Sequence, residues 1–132
     1  MAAFRFGIDR LLDSDKLLPV LRSKRIALLA HPASVTADLL HTVEVLAQTA
    51  DIRLTALFGP QHGMRGDKQD NMIESEDELD PVYQIPVFSL YGRVRRPTRA
   101  MLDHFDVLLI DVQDVGCRVY TFLTTLFYLL ED

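Results

Sequence analysis

Four short apolar runs, each followed by a polar loop, constrain this chain more than anything else in it. They are Arg25-Ile26-Ala27-Leu28-Leu29-Ala30, Arg53-Leu54-Thr55-Ala56-Leu57-Phe58, Pro86-Val87-Phe88-Ser89-Leu90-Tyr91 and Asp106-Val107-Leu108-Leu109-Ile110-Asp111. Runs of this length that are apolar on both faces fit the buried strands of a parallel sheet. Helical patterns lie between and after them. Thr36 is placed to cap a helix from Ala37 to about Gln48, with Leu39, Leu40, Val43, Leu46 and Ala47 at helical spacing. Thr98 is placed to cap a helix of about two turns through Met101 and Leu102. Phe4 to Leu18 reads as a helical lead-in that Pro19 interrupts. Arg118 to Asp132 reads as a helix apolar over most of its surface, and therefore buried. Strands alternating with helices predict an α/β fold built on a parallel sheet.

The chain has 132 residues, enough for one domain with a core. Its formal charge of −5 argues against nucleic acid as a partner, because phosphate binding needs local basicity. Cys117 is the single cysteine, so no internal disulfide forms. Arg5, Asp9 and Arg10 break up the N-terminus, and a secretory signal needs an apolar stretch of roughly 7–15 residues. The mostly apolar stretch Val119 to Leu130 is shorter than the ~20 residues that span a bilayer. The expectation is a soluble, cytoplasmic protein with no membrane span. The last helix ends on Glu131 and Asp132, at the negative end of its dipole and without a glycine cap. That ending predicts a natural chain that continues, and a sheet incomplete at its C-terminal side.

Chemistry concentrates in Phe58-Gly59-Pro60-Gln61-His62-Gly63-Met64-Arg65-Gly66-Asp67, where glycines and a proline surround an amide, an imidazole and a guanidinium. The stretch from Gly59 to Pro86 reads as long and mostly irregular, and its acidic second half as a solvated face. Parallel α/β sheets bind ligands beyond the carboxyl ends of their strands. Four loops are expected to meet there. They bring His31 and Ser34; Gln61, His62 and Arg65; Tyr91 and Arg93; and Asp111, Gln113 and Asp114.

His62 has a side chain whose ordinary pKa suits proton transfer near neutrality. Its blander role is to hydrogen-bond the turned backbone. Asp111 and Asp114, with His62, have no spacing that resembles a known metal-ligand pattern, so no metal is assigned. Asp111-Val112-Gln113-Asp114 resembles a phosphotransfer aspartate motif, except that the second aspartate falls one place late. Neither a G-x-G-x-x-G nor a Walker lysine accompanies the glycines. Cys117 reads as a small core residue, and His41 and His104 as surface or helix-edge histidines.

At these residues the chain resembles a bacterial family, the NamZ-like exo-β-N-acetylmuramidases, which are glycoside hydrolases of peptidoglycan recycling. The resemblance spans nearly the whole chain. It runs through Phe6-Gly7-Ile8-Asp9-Arg10-Leu11-Leu12, the Phe58-to-Asp67 loop, Val87-Phe88-Ser89-Leu90-Tyr91-Gly92 and Arg96-Pro97-Thr98. It continues through Asp111-Val112-Gln113-Asp114-Val115-Gly116-Cys117-Arg118-Val119-Tyr120-Thr121. It implies that residues 1–132 are the N-terminal part of a Rossmann-like catalytic domain, with the family's smaller C-terminal domain absent from this chain. It implies a small amino-sugar or muropeptide substrate from which terminal N-acetylmuramic acid is released, without metal or organic cofactor.

Two positions depart from the family pattern. The common loop has Glu, the proposed catalytic carboxylate, where this chain has Gln61, and Asn where this chain has His31. An amide cannot transfer a proton as a carboxyl does. A non-catalytic amino-sugar or muropeptide-binding protein is therefore the alternative. Glycosidases usually use two carboxyl groups, about 5–5.5 Å apart for retention and ~6.5–9.5 Å for inversion. With Gln61 discounted, the strand-end loops offer Asp67, Asp111 and Asp114. Asp111, on a rigid strand end, is expected to be the catalytic carboxylate, with His62 as proton carrier and Gln61 as a hydrogen-bonding partner. His31, Tyr91, Gln113, Asp114 and Tyr120 are expected to line the substrate, with Arg65 or Arg118 on the lactyl carboxylate.

Overall fold

The computed structural model describes residues 4–66, 76–114, 116 and 121–132. In chain order the elements are α1 (Gly7–Leu12), α2 (Leu18–Leu21), β1 (Arg25–Ala30), α3 (Thr42–Gln48) and β2 (Arg53–Gly59). They continue with β3 (Glu78–Leu79), β4 (Pro86–Ser89), α4 (Arg99–Leu102), β5 (Val107–Asp111) and α5 (Phe122–Glu131). The sheet runs β3-β4-β2-β1-β5. β1 pairs in parallel with β2 and β5, and β2 with β4. The expected parallel sheet thus carries one antiparallel edge strand, β3, which pairs with β4 through Glu78 and Leu79.

Side-chain alternation along the strands builds two cores. Leu28, Ala30 and Leu57 pack with Ile8 of α1 and with Val43 and Leu46 of α3. Ala27, Leu29, Ala56 and Phe58 face the other way, onto Met101 of α4 and Leu129 of α5. Leu28, Leu29, Leu57 and Phe58 are fully buried, and each such side chain contributes about 1.5–3 kcal/mol. At the opposite end of the sheet from the loops, Arg25 and Asp106 tie β1 to β5 through a 2.7 Å ion pair. Hydrogen bonds from Arg25 pull the Asp106 carboxyl down to about 2.

Several local expectations need correction. The lead-in is two short helices, and Pro19 sits inside the first turn of α2 rather than ending a helix. A proline there gives up an N–H that has no helical partner anyway. The helix expected from Ala37 begins only at Thr42, with His41 as its cap. Residues 36–40 instead fold into a tight turn, closed by Thr36 N to Leu40 O at 2.9 Å and opened by Leu39 at φ +62°. The bridge between Val35 and His41 sits at its base. The strand expected over Pro86–Tyr91 is β4 and stops at Ser89, because the Leu90 N–H leaves the ladder to reach the Gly59 carbonyl at 3.0 Å.

The last helix starts at Phe122 and is not buried all round. Phe122, Thr125 and Leu129 face the core, whereas Leu123, Phe127 and Leu130 are 60 %, 55 % and 68 % exposed. Its acidic end is not left bare either: Arg96 reaches Glu131 at 2.6 Å and Asp132 at 3.1 Å.

Candidate functional site

Strand order dictates where a site can form. From β1 the chain moves outward through β2 and β4, then crosses back to place β5 on the other side of β1. Ligands of open α/β sheets bind at this reversal, beyond the carboxyl ends of the strands. Here the reversal brings the loop after Ala30 against the loop after Asp111, which are register partners.

That crevice is filled by its own hydrogen bonds. The Ser34 hydroxyl donates to the Asp111 carbonyl and accepts the His31 N–H at 2.9 Å. The Thr42 hydroxyl, at the first turn of α3, donates to the Asp111 carboxylate at 2.5 Å. His31 Nε2 accepts the Gln113 N–H at 3.0 Å, and its Nδ1 faces the Ala33 N–H at 3.2 Å. The ring packs on Phe122 with centroids 4.8 Å apart. A protonated imidazole would point an N–H at a donor on each side. Burial pushes the His31 pKa down; Asp111 works against that and His41 adds to it. His41 accepts the Val43 N–H at Nδ1, so its Nε2 carries the proton and donates to the His31 carbonyl at 3.1 Å.

The loop after β2 is built differently. The Gly63 N–H returns to the Pro60 carbonyl at 3.0 Å, closing a tight turn with His62 at φ +72° and Gly63 at φ +74°. A positive φ at the third turn position is normally a glycine's task, so His62 is held there at a cost. Gly59 is required by close approach, since a Cβ there would stand 3.0 Å from the Met64 nitrogen. Gln61 Oε1 accepts the Thr121 hydroxyl at 3.0 Å, joining the turn to the start of α5. His62 Nδ1 is buried and has no hydrogen-bond partner among the described residues.

Arg65 leaves this cluster. It meets Asp80, 1 % exposed, at 2.5 Å. Burial alone would raise the Asp80 carboxyl, but the Tyr83 N–H, Arg65 and the Val82 N–H outweigh it and hold it below its ordinary value. The pair staples the two ends of the excursion that separates the turn from β4.

The sequence-assigned residues therefore divide. His31, Asp111 and Gln113 meet at the reversal, and Gln61 joins them through Thr121 and Phe122. The Asp111 carboxylate, however, faces Thr42 on the α3 side, whereas the Gln61 amide faces α5. Tyr91 stands apart, with the Arg95 guanidinium 3.6 Å over its ring. Asp114 turns back to accept the Gly116 N–H at 2.7 Å. Asp67, Cys117, Arg118 and Tyr120 lie outside the described residues. Thr42, Thr121, Phe122 and Asp80 were not assigned site roles from sequence, and His41, read as a surface or helix-edge histidine, is the cap of α3. Only Thr121 had a signal, as the last residue of the Asp111-to-Thr121 motif.

Among the described residues, no three His, Cys, Asp or Glu side chains are grouped to hold a metal ion, and no helix is long and apolar enough to cross a membrane. A cavity of about 440 Å³ adjoins the turn on its α3 side, lined by Pro32, His41, Val43, Glu44, Arg65 and Tyr83, among others. A further cavity of about 540 Å³ lies along β4 and α4, lined by Phe88, Arg93, Met101 and His104 among others, and of the residues expected to meet beyond the strands it receives only Arg93.

Comparison with known proteins places this geometry in context. A family model described as "Exo-beta-N-acetylmuramidase NamZ, N-terminal" matches residues 26–132. The peptidoglycan beta-N-acetylmuramidase NamZ of Bacillus subtilis (strain 168) is 46 % identical over 125 residues, covering 95 % of this chain and 30 % of that protein. A crystal structure of a DUF1343 family protein from Bacteroides fragilis NCTC 9343 superposes with a TM-score of 0.82 at 36 % identity, over 96 % of this chain and 30 % of that one. A second DUF1343 family protein from the same strain gives a TM-score of 0.74 at 26 % identity, over 98 % and 31 % of the two chains. The chain thus spans about a third of the length of these relatives.

Proposed function

Because the chain belongs to the NamZ N-terminal family, we propose that it carries the substrate loops of a glycoside hydrolase releasing terminal N-acetylmuramic acid from peptidoglycan fragments. The reading places residues 1–132 in the N-terminal part of a Rossmann-like catalytic domain, with a smaller C-terminal domain outside this chain.

One observation carries the local reading: the Gln61-His62 turn. His62 is held in a left-handed conformation with a buried ring nitrogen that lacks a partner among the described residues. Strain and an unused buried acceptor or donor are features a fold retains where a ligand completes them. Gln61 adds to this. With Oε1 engaged by Thr121, its amide N–H groups are the donors left for a sugar oxygen. In this reading His62 carries the proton and Gln61 orients the sugar. Asp111, bonded to Thr42, sets the β5 loop rather than touching substrate. That departs from the catalytic role expected of Asp111 in the sequence, because the carboxylate is turned toward α3.

A specific observation favours a second reading. The turn presents an amide, and among the described residues no carboxylate is hydrogen-bonded to Gln61 or His62. A protein of this fold that binds amino sugars or muropeptides without cleaving them fits that arrangement.

A chromogenic N-acetylmuramide separates the two readings. Release of the chromophore, lost in His62→Ala, is the expected result for the hydrolase. Calorimetric binding of N-acetylmuramic acid without release supports the second reading, and absence of both overturns the two together.

A further inference from the structure

Thr121 stands where α5 takes its N-cap, yet its hydroxyl does not cap the helix. Its carbonyl accepts the Thr125 N–H at 3.0 Å, the first bond of α5. A cap residue ordinarily lies in extended backbone and turns its side chain onto the N–H groups of the first turn. Thr98 and His41, the caps of α4 and α3, do so: their ψ angles are 159° and 138°, and their side chains accept the N–H groups of Met101 and Val43. Thr121 has ψ 2° and makes no such bond. Its hydroxyl is directed instead at Gln61 Oε1, 3.0 Å away and sixty residues earlier in the chain. The next residue, Phe122, is buried against the His31 ring, so the start of α5 is fixed to the frame at the strand reversal.

We propose that Thr121 is a positioning residue of the site: its hydroxyl holds the Gln61 amide with the carbonyl end toward α5 and the NH2 end toward the ligand. This rests on the reading of Gln61 as the group that orients the sugar, given above. A glutamine side chain is long and flexible, and one left free must be ordered when the ligand arrives, which lowers affinity. Thr121 engages the Oε1 end, and among the described residues nothing accepts from the amide nitrogen. The amide therefore meets the ligand as a donor, which suits a hydroxyl or carbonyl oxygen. A threonine kept for its helix alone would show the opposite pattern, with its hydroxyl on the first turn of α5 and Gln61 unheld.

Three variants test this: Thr121→Val, Thr121→Ser and, as a control, Thr98→Val, which removes a hydroxyl that does cap a helix. Each is followed in two ways. A proton–nitrogen spectrum reads the side-chain amide signals of Gln61, identified by their loss in Gln61→Glu. Calorimetry reads the affinity for N-acetylmuramic acid. Thr121→Val keeps the shape of the side chain and is expected to move the Gln61 signals and weaken binding about fivefold, the scale of one hydrogen bond. Thr121→Ser restores the hydroxyl and is expected to return both readings to those of the parent protein. Thr98→Val is expected to change neither. Gln61 signals or affinity unchanged in Thr121→Val overturn the positioning role, and so does a loss that persists in Thr121→Ser or recurs in Thr98→Val. If the parent protein does not bind N-acetylmuramic acid, the sugar reading falls. The Gln61 signals then decide alone: moved by Thr121→Val and restored by Thr121→Ser, they keep Thr121 as the holder of the amide; unmoved, they overturn it.

Discussion

Two neighbouring loops at the same end of the sheet are built on opposite terms. Between β1 and β5, the polar groups around the reversal are matched to one another: Ser34 and Thr42 to Asp111, His31 to Gln113, His41 to the His31 carbonyl. After β2, the turn strains its backbone at His62 and leaves a ring nitrogen without a partner among the described residues. The topology marks the first region as the place for a ligand, yet the unspent hydrogen-bonding capacity lies in the second. A crevice at a strand reversal is an opportunity, and here side chains have used much of it as a frame. The adjoining turn, braced by that frame through Phe122 and Thr121, is where the site proposed above lies.

Breaking the brace of the turn is expected to have the largest effect. Asp80→Ala removes the acceptor of the Val82 and Tyr83 N–H groups and frees Arg65. Arg65 is half exposed and its freed charge is hydrated, so the loss comes mainly from the two N–H groups. The expected cost is about 2–3 kcal/mol in denaturant unfolding. A cost comparable to an exposed ion pair would show that the turn is not anchored there.

Breaking the frame is expected to cost less. Thr42→Val keeps the shape of a buried side chain and removes one donor to the Asp111 carboxylate, for about 1.5 kcal/mol. The same variant sharpens the comparison if ligand binding is followed. Affinity for N-acetylmuramic acid should change little if Asp111 belongs to the frame, and fall steeply if Asp111 touches the ligand.

The pH dependence gives the smallest effect and the cleanest sign. The folded pKa of His31 lies below its ordinary value of 6.5. Between the two values the unfolded chain binds the proton more readily than the folded one. Stability is therefore complete above pH 6.5 and declines as pH falls from there through the folded value. His31→Asn should flatten this decline in melting temperature against pH. The lowered Asp80 carboxyl acts in a separate window, sustaining stability above its ordinary 3.8 and losing it as pH falls further.

Much of the fold was legible in the sequence because it rests on periodicity. Arg25–Ala30 reads as a buried strand and is one, residue for residue. The Gly-rich loop and the strand-end placement of Gln61, His62, Asp111 and Gln113 followed from the same pattern. What could not be read rests on single backbone conformations and on contacts distant in sequence. The apolar positions Leu39 and Leu40 continue a helical period, yet Leu39 takes a left-handed φ and lies 79 % exposed in a turn. β3 has two exposed residues and no alternation to betray it. Nothing local reveals that Asp80, fifteen residues on, is buried against Arg65. The strand-end position of Asp111 is visible in the sequence, while its contact with Thr42, sixty-nine residues earlier, is not.

The contrast between the two loops predicts how their histidines answer a ligand. The direct test is a long-range proton–nitrogen spectrum of the histidine rings, recorded while N-acetylmuramic acid is added. The ring nitrogens of His62 should move as the ligand supplies the missing partner, while those of His31, held between Gln113 and Ala33, should stay in place. Movement of the His31 nitrogens with His62 unchanged would contradict the account, and would return the ligand to the crevice between β1 and β5.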